Sequence, residues 1–314
     1  MELFLQKAKE ASATISTLST KIKNQLLYDM ADALVDNMQK IIDENQKDIQ
    51  NGIKTNLSDA LMDRLLLNKA RIQDMAKAIQ DIASLKEPIG NIQQGWKTPT
   101  SLNIQKVSVP IGVIGIIYES RPNVTSDTAS LCIKSGNVCI LKGGKEAKYS
   151  NTIIATILQE VLIKHDLPKA IISRLEDDSR DGVAKLIKYD KYVDLIIPRG
   201  GSSLIEYISQ NSSVPVIKHD KGLCHTYIHK DANISKAIDI SINAKCRRVG
   251  ICGAMETLLV DKKIATKILP LLKVEFDKHD TLLKGCKQTI KILNIQEATK
   301  EDWATEYLDN ILSI

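Results

Sequence analysis

The chain has 314 residues, 43% of them hydrophobic, and its 43 basic and 38 acidic side chains are mixed along it for a net charge of +5. That content can bury a core and fill two domains, and no run approaches the roughly 18–20 apolar residues of a membrane span. Aromatics at 4%, with no basic run among them, argue against a nucleic-acid platform and leave a small-molecule partner, with the mild positive bias suiting a phosphorylated ligand. The opening MELFLQKAKEASATIS lacks the order of a secretory signal and is expected to be mature protein. Cys132, Cys139, Cys224, Cys246, Cys252 and Cys286 show neither C-x-x-C spacing nor a histidine partner for zinc, so the expectation is free thiols in a reducing cytoplasm and no metal.

Residues 1 to about 85 carry apolar side chains at three- and four-residue spacing, as in Leu26, Met30, Ala33 and Leu34, which predicts amphipathic helices. Pro88, Gly90, Gly95 and Pro99 then break the pattern, and LNIQKVSV alternates like a strand of an exposed hairpin near 92–108. From Val109 short apolar strands alternate with helices. The predicted strands are 109–117, 137–141, 170–175, 193–198 and 214–217, with helices ending near Lys134, Lys164, Lys188 and Ser209. Continuous apolar strands between helices indicate a parallel sheet covered on both faces, a Rossmann-like doubly wound domain whose ligands bind at the carboxyl ends of strands. A helix over 231–248, a strand over 255–260, a helix over 264–272, a strand near 281–286 and more helix follow. The closing ILSI looks like the opening of another strand.

Two glycine pairs sit where strands hand over to helices: Lys142-Gly143-Gly144-Lys145 and Arg199-Gly200-Gly201-Ser202. Glycines there let a phosphate approach the backbone, and helix N-termini supply N–H donors and positive dipole ends. The other reading is a tight turn flanked by solvated cations, since neither pair carries a standard nucleotide fingerprint. Cys252, in RRVGICGAMETLLV, is bracketed by Gly250 and Gly253 and preceded by Arg247 and Arg248. Cations and a loop feeding a helix N-terminus favour a reactive thiolate; a buried cysteine in a glycine-rich turn is the alternative.

The segments GWKTPTSLNIQKVSVP, VPIGVIGIIYESRPNVTSDTASLCIKSGN, ILKGGKEAKYSN, DLIIPRGGSSLIEYI, VPVIKHDKGLCHTYI, NAKCRRVGICGAMETLLV and EDWATEYLDNILSI together resemble the gamma-glutamyl phosphate reductases of the aldehyde dehydrogenase superfamily. The resemblance runs over essentially the whole chain. It implies an NADP-binding domain over 1–226 with N-terminal helices and an oligomerisation hairpin, then a catalytic domain over 227–314. It implies Cys252 as thiol nucleophile, Asn123 as amide donor to the oxyanion, and Lys142 beside the cofactor ribose. Gly143 and Gly144 flank that position, and Gly200, Gly201 and Ser202 match the turn beside the pyrophosphate. Lys218, His219 and His225, in IKHDKGLCH, are candidates for holding the substrate's carboxylate or phosphate, with structural hydrogen bonding the other reading for the two histidines.

The implied reaction is NADPH-dependent reduction of L-glutamyl 5-phosphate to L-glutamate 5-semialdehyde, a proline-biosynthetic step in a homo-oligomeric enzyme. KHDKGLCH offers no glutamate base for water, which suits phosphate as the partner. The chain departs from the family at Arg247, Val249 and Gly253, and the family's chains run on past Ile314. That difference implies an incomplete catalytic domain with an open sheet edge. It leaves two alternatives: a C-terminally truncated, inactive fragment, or a related acyl-phosphate or acyl-CoA aldehyde dehydrogenase.

Overall fold

The computed structural model describes residues 1–218 and 222–314, with the side chains of Asp59, Ala60 and Ser202 also left undescribed. It is an α/β protein that divides into two compact units, Met1–Lys218 and His219–Ile314. The division falls earlier than the expected 226/227 because the strand Cys224–Ile228 pairs in parallel with Met255–Val260 of the second unit.

The first unit opens with α1 (Glu2–Ser16), α2 (Thr20–Asp36), α3 (Met38–Lys54), α4 (Asp59–Leu65) and α5 (Lys69–Ser84). Leu5, Ala8, Ala11 and Ile15 of α1, and Leu26, Met30 and Leu34 of α2, turn one apolar stripe inward and are fully or almost fully buried. Strands β1 (Ile92–Lys97) and β2 (Asn103–Val107) form an antiparallel ribbon that pairs Trp96 with Ile104, and every one of its residues is exposed.

The alternating region follows with β3 (Val113–Tyr118), α6 (Asn123–Lys134), β4 (Val138–Lys142), α7 (Lys148–Lys164), β5 (Ile172–Arg174), α8 (Arg180–Leu186), β6 (Leu195–Arg199) and α9 (Ser202–Asn211). The strands form a parallel sheet in the order β5-β4-β3-β6. All residues of β3 and β4 are buried, as helices on both faces require. The expected fifth strand at 214–217 shrinks to one bridge, Ile196 to Val216. Pro215 has no N–H to extend the ladder and only its carbonyl bonds, to Ile196 N–H. Gly136, at φ +69°, ends α6: its N–H bonds Ile133 O, and Asn137 N–H bonds Cys132 O, which is a Schellman closure.

The second unit contains β7 (Cys224–Ile228), α10 (Ile234–Cys246), β8 (Met255–Val260), α11 (Lys262–Asp277), β9 (Leu282–Gly285), β10 (Gln296–Glu297) and β11 (Ile311–Ser313), in the sheet order β10-β9-β11-β8-β7. The helix expected after β9 is reduced to 3-10 turns at Thr289–Lys291 and Glu301–Ala304. The closing ILSI is no edge: β11 lies between β8 and β9, with Leu312 and Ser313 fully buried.

Behind these strands lies a charged interior. The Asp302 carboxylate accepts Lys284 Nζ at 2.7 Å, Thr299 N–H at 2.7 Å and the Tyr307 hydroxyl at 2.7 Å. Burial alone would raise this carboxyl, but the hydrogen bonds outweigh it and hold Asp302 well below the usual carboxylate range. A depressed folded-state pKa stabilises the fold above the unfolded-chain value and is lost as pH falls toward the folded value. Asp302→Asn is therefore expected to lower the denaturation midpoint by a constant amount from pH 7 down to about 4, the difference shrinking below that. Denaturant titrations of both proteins across this range check it.

Candidate active site

In the first unit the strand order turns around β3, with β4 on one side and β6 on the other, so the carboxyl ends of β3 and β6 frame the crevice where open parallel sheets bind ligands. Glu119 follows β3, and Arg199, Gly200 and Gly201 close β6 and open α9. The Gly201 N–H donates to Glu119 Oε2 at 3.2 Å, so an exposed carboxylate rests on a donor that a bound anion would use. A methyl group at Gly201 would meet nothing nearer than Glu119 Oε1 at 3.9 Å. This turn is open.

The Gly143–Gly144 turn differs. A methyl group at Gly143 would run into the Asn151 amide and come within 3.3 Å of the Tyr118 ring, at a point where Asn151 Oδ1 accepts Thr125 Oγ1 at 3.0 Å. Asp48 of α3, 1% exposed, accepts Tyr149 N–H at 3.1 Å and Ser150 N–H at 2.8 Å. Asp48 therefore satisfies amide donors in the first turn of α7 that the sequence offered to phosphate. Lys142 is 6% exposed and donates through Nζ to Asp178 O at 2.8 Å; burial pushes its pKa down. An ammonium keeps two further donors there.

Asn123 is the first residue of α6 and donates through Nδ2 to Asp127 Oδ2 at 2.9 Å, one turn along. Burial raises the Asp127 carboxyl. Asp127 therefore orients the amide, from the i+4 position that shares its helix face.

In the second unit Cys252 is exposed on the irregular stretch 247–254 that joins α10 to β8. This corrects one expectation: the turn leaves the C-terminal end of a helix and enters a strand, so the loop that carries the thiol does not feed a helix N-terminus. Arg247 and Arg248 remain as its neighbouring charges, both exposed. The Cys252 carbonyl is held instead. Cys224 Sγ donates to it at 3.3 Å, and a methyl group on Gly222 would collide with it. Neither contact was legible, because Cys224 stands 28 residues before Cys252 in the chain. His225 is exposed on β7 with Nδ1 2.6 Å from Leu223 O. Lys218 closes the first unit, exposed. His219 and the Ser202 side chain lie outside the described residues. Among the described residues no cluster of three or more histidine, cysteine or acidic side chains could hold a metal, and no helix is long and apolar enough to cross a membrane.

The aldehyde dehydrogenase family pattern matches residues 1–302. A gamma-glutamyl phosphate reductase from Sulfurimonas denitrificans is 60% identical over all 314 residues, which span 77% of that relative. The chain belongs to the gamma-glutamyl phosphate reductases of the aldehyde dehydrogenase family. The crystal structure of the Thermotoga maritima gamma-glutamyl phosphate reductase, 38% identical, matches with a TM-score of 0.94 over 99% of this chain and 75% of that one. The Saccharomyces cerevisiae protein of the same name, 29% identical, matches at 0.65 over 99% of this chain and 79% of that one. An acetylating aldehyde dehydrogenase from Geobacillus thermoglucosidasius, at 20% identity and 0.62, shares the fold. Family membership implies an oxidoreductase that uses a nicotinamide cofactor.

The two glycine turns are separable by experiment. Gly143→Ala is expected to destabilise the fold by about 1–3 kcal/mol through overpacking. Gly201→Ala is expected to leave the melting temperature unchanged and to weaken nicotinamide dinucleotide binding, as read by thermal melts and fluorescence titration. Equal melting temperatures for the two variants would contradict this division of roles.

Proposed function

We propose that the chain catalyses the NADPH-dependent reduction of L-glutamyl 5-phosphate to L-glutamate 5-semialdehyde and phosphate, a step of proline biosynthesis, in the cytoplasm. The observation that carries this reading is the exposed Cys252 thiol, on a turn whose carbonyl is pinned by Cys224, in a chain whose curated relatives bear this name across its full length.

The Cys252 thiolate attacks the γ-acyl carbon; the C–S bond forms, the C–O bond to phosphate breaks, and a thioacyl enzyme results. Asn123 Nδ2, held by Asp127, donates to the oxyanion alongside the Cys252 N–H. NADPH, when bound, supplies the hydride. The thiohemiacetal oxyanion on Cys252 then expels the thiolate and releases the aldehyde.

For the cofactor, the Gly200–Gly201 turn and Ser202 take the pyrophosphate once Glu119, which crowds Gly200 and accepts the Gly201 N–H, swings away. Lys142, beside Gly143 and Gly144, reaches the ribose and, with Lys145, favours the 2′-phosphate of NADP over NAD. Lys218, His219 and His225 are proposed substrate contacts. The exposed β1–β2 ribbon, too short to be stable alone, is proposed to pack against a second copy of the chain.

The deciding assay is NADP-dependent, phosphate-requiring oxidation of glutamate 5-semialdehyde. Cys252→Ala is expected to abolish turnover, and Asn123→Ala to lower kcat on the order of 10²–10³-fold with KM little changed. Turnover surviving in Cys252→Ala would falsify the thioacyl route.

A further inference from the structure

Eleven residues apart in the chain, Lys245 and Glu256 meet in the interior of the second unit. Lys245 Nζ lies 2.8 Å from Glu256 Oε2, and the two side chains are 0% and 1% exposed. Taking both charges out of water costs desolvation that their attraction does little more than offset. Apolar side chains of similar volume hold such positions as well or better. Stability is therefore a weak reason for the pair.

Its place in the chain supplies a stronger one. Lys245 stands in the last turn of α10, Glu256 is the second residue of β8, and the 247–254 turn that carries Cys252 runs between them. That turn does little to hold itself. A methyl group added at Gly250 would meet nothing nearer than Leu308 O at 3.9 Å, and one at Gly253 nothing within 4 Å. Ala254 N–H bonds Ile251 O within it. An ion pair across the base fixes where the chain enters and leaves. The other Glu256 oxygen accepts Leu308 N–H at 3.3 Å and ties the segment before β11 to the same point.

We propose that Lys245 and Glu256 are positioning residues for Cys252, their buried ion pair closing the base of the nucleophile turn. The proposal rests on Cys252 being the nucleophile. Apolar replacements fill the volume but set no distance between the ends of the turn and accept nothing from Leu308. They keep the core and loosen the thiol, and a displacement of about 1 Å at a reacting group costs on the order of 10²-fold in rate.

The test compares the full chain with the Lys245→Met/Glu256→Met double variant and with Glu256→Gln. Four quantities are measured: thermal midpoint, kcat, KM for the semialdehyde, and hydrogen exchange of the 247–254 amides. The expected double variant melts at or above the parent, keeps its KM, loses on the order of 10²-fold in kcat, and exchanges faster only within 247–254. Parental kcat together with parental exchange in that variant overturns the proposal, as does faster exchange spread over the whole unit. If the double variant does not fold, Glu256→Gln, which keeps the volume and an acceptor for Leu308, takes the same readouts and the same overturning result. Turnover retained in Cys252→Ala sinks the nucleophile assignment alone, because the exchange measurement needs no turnover.

Discussion

A parallel strand must pass its chain to a helix through a turn whose first amide donors have no partner inside that helix. Much of the first unit follows from how each turn meets that requirement. At α7 the donors are met by Asp48, a buried carboxylate from α3, and the same contact fastens a helix of the N-terminal group onto the sheet domain. At α8 they are met locally, Ser179 accepting from Gly182 N–H. At α9 the Gly201 donor is met by Glu119, whose carboxylate is exposed and can be exchanged for another anion. Two turns of similar sequence thus differ in kind: the donors of one are met by a buried carboxylate, the donor of the other by an exposed one.

The second unit solves a different problem. Cys252 is exposed, so its own side chain contributes little to holding the turn, and the flanking glycines add little. Order is imposed from outside, by Gly222 and Cys224 on the carbonyl and by Lys245 and Glu256 at the base. The Lys284–Asp302–Tyr307 group continues that charged interior, with burial and the Asp302 carboxylate helping to push the Tyr307 hydroxyl up to about 12. The exposed Cys252 thiol thus sits on a turn held by polar contacts at its carbonyl and its base.

Sequence alone was a good guide wherever local chemistry decided the outcome. The apolar runs of β3 and β4, the periodic stripe of the N-terminal helices, and the end of α6 at Lys134 each formed where their patterns predicted. It was a poorer guide where the outcome depended on a partner far along the chain. The 214–217 run is as apolar as a strand, yet Pro215 leaves it a single bridge. Gly143 reads like Gly201 until Asn151 is found packed against it.

What the sequence determined by itself is the family, the α/β class, and the identity of Cys252 and Asn123 as candidates, because these follow from contiguous residues and their order. Only the tertiary structure decided which glycine is packed against Asn151, that Cys224 holds the Cys252 carbonyl, and that Lys245 and Glu256 form a buried ion pair at the base of the Cys252 turn. These outcomes depend on burial and on hydrogen-bond distances between segments that the chain order keeps apart.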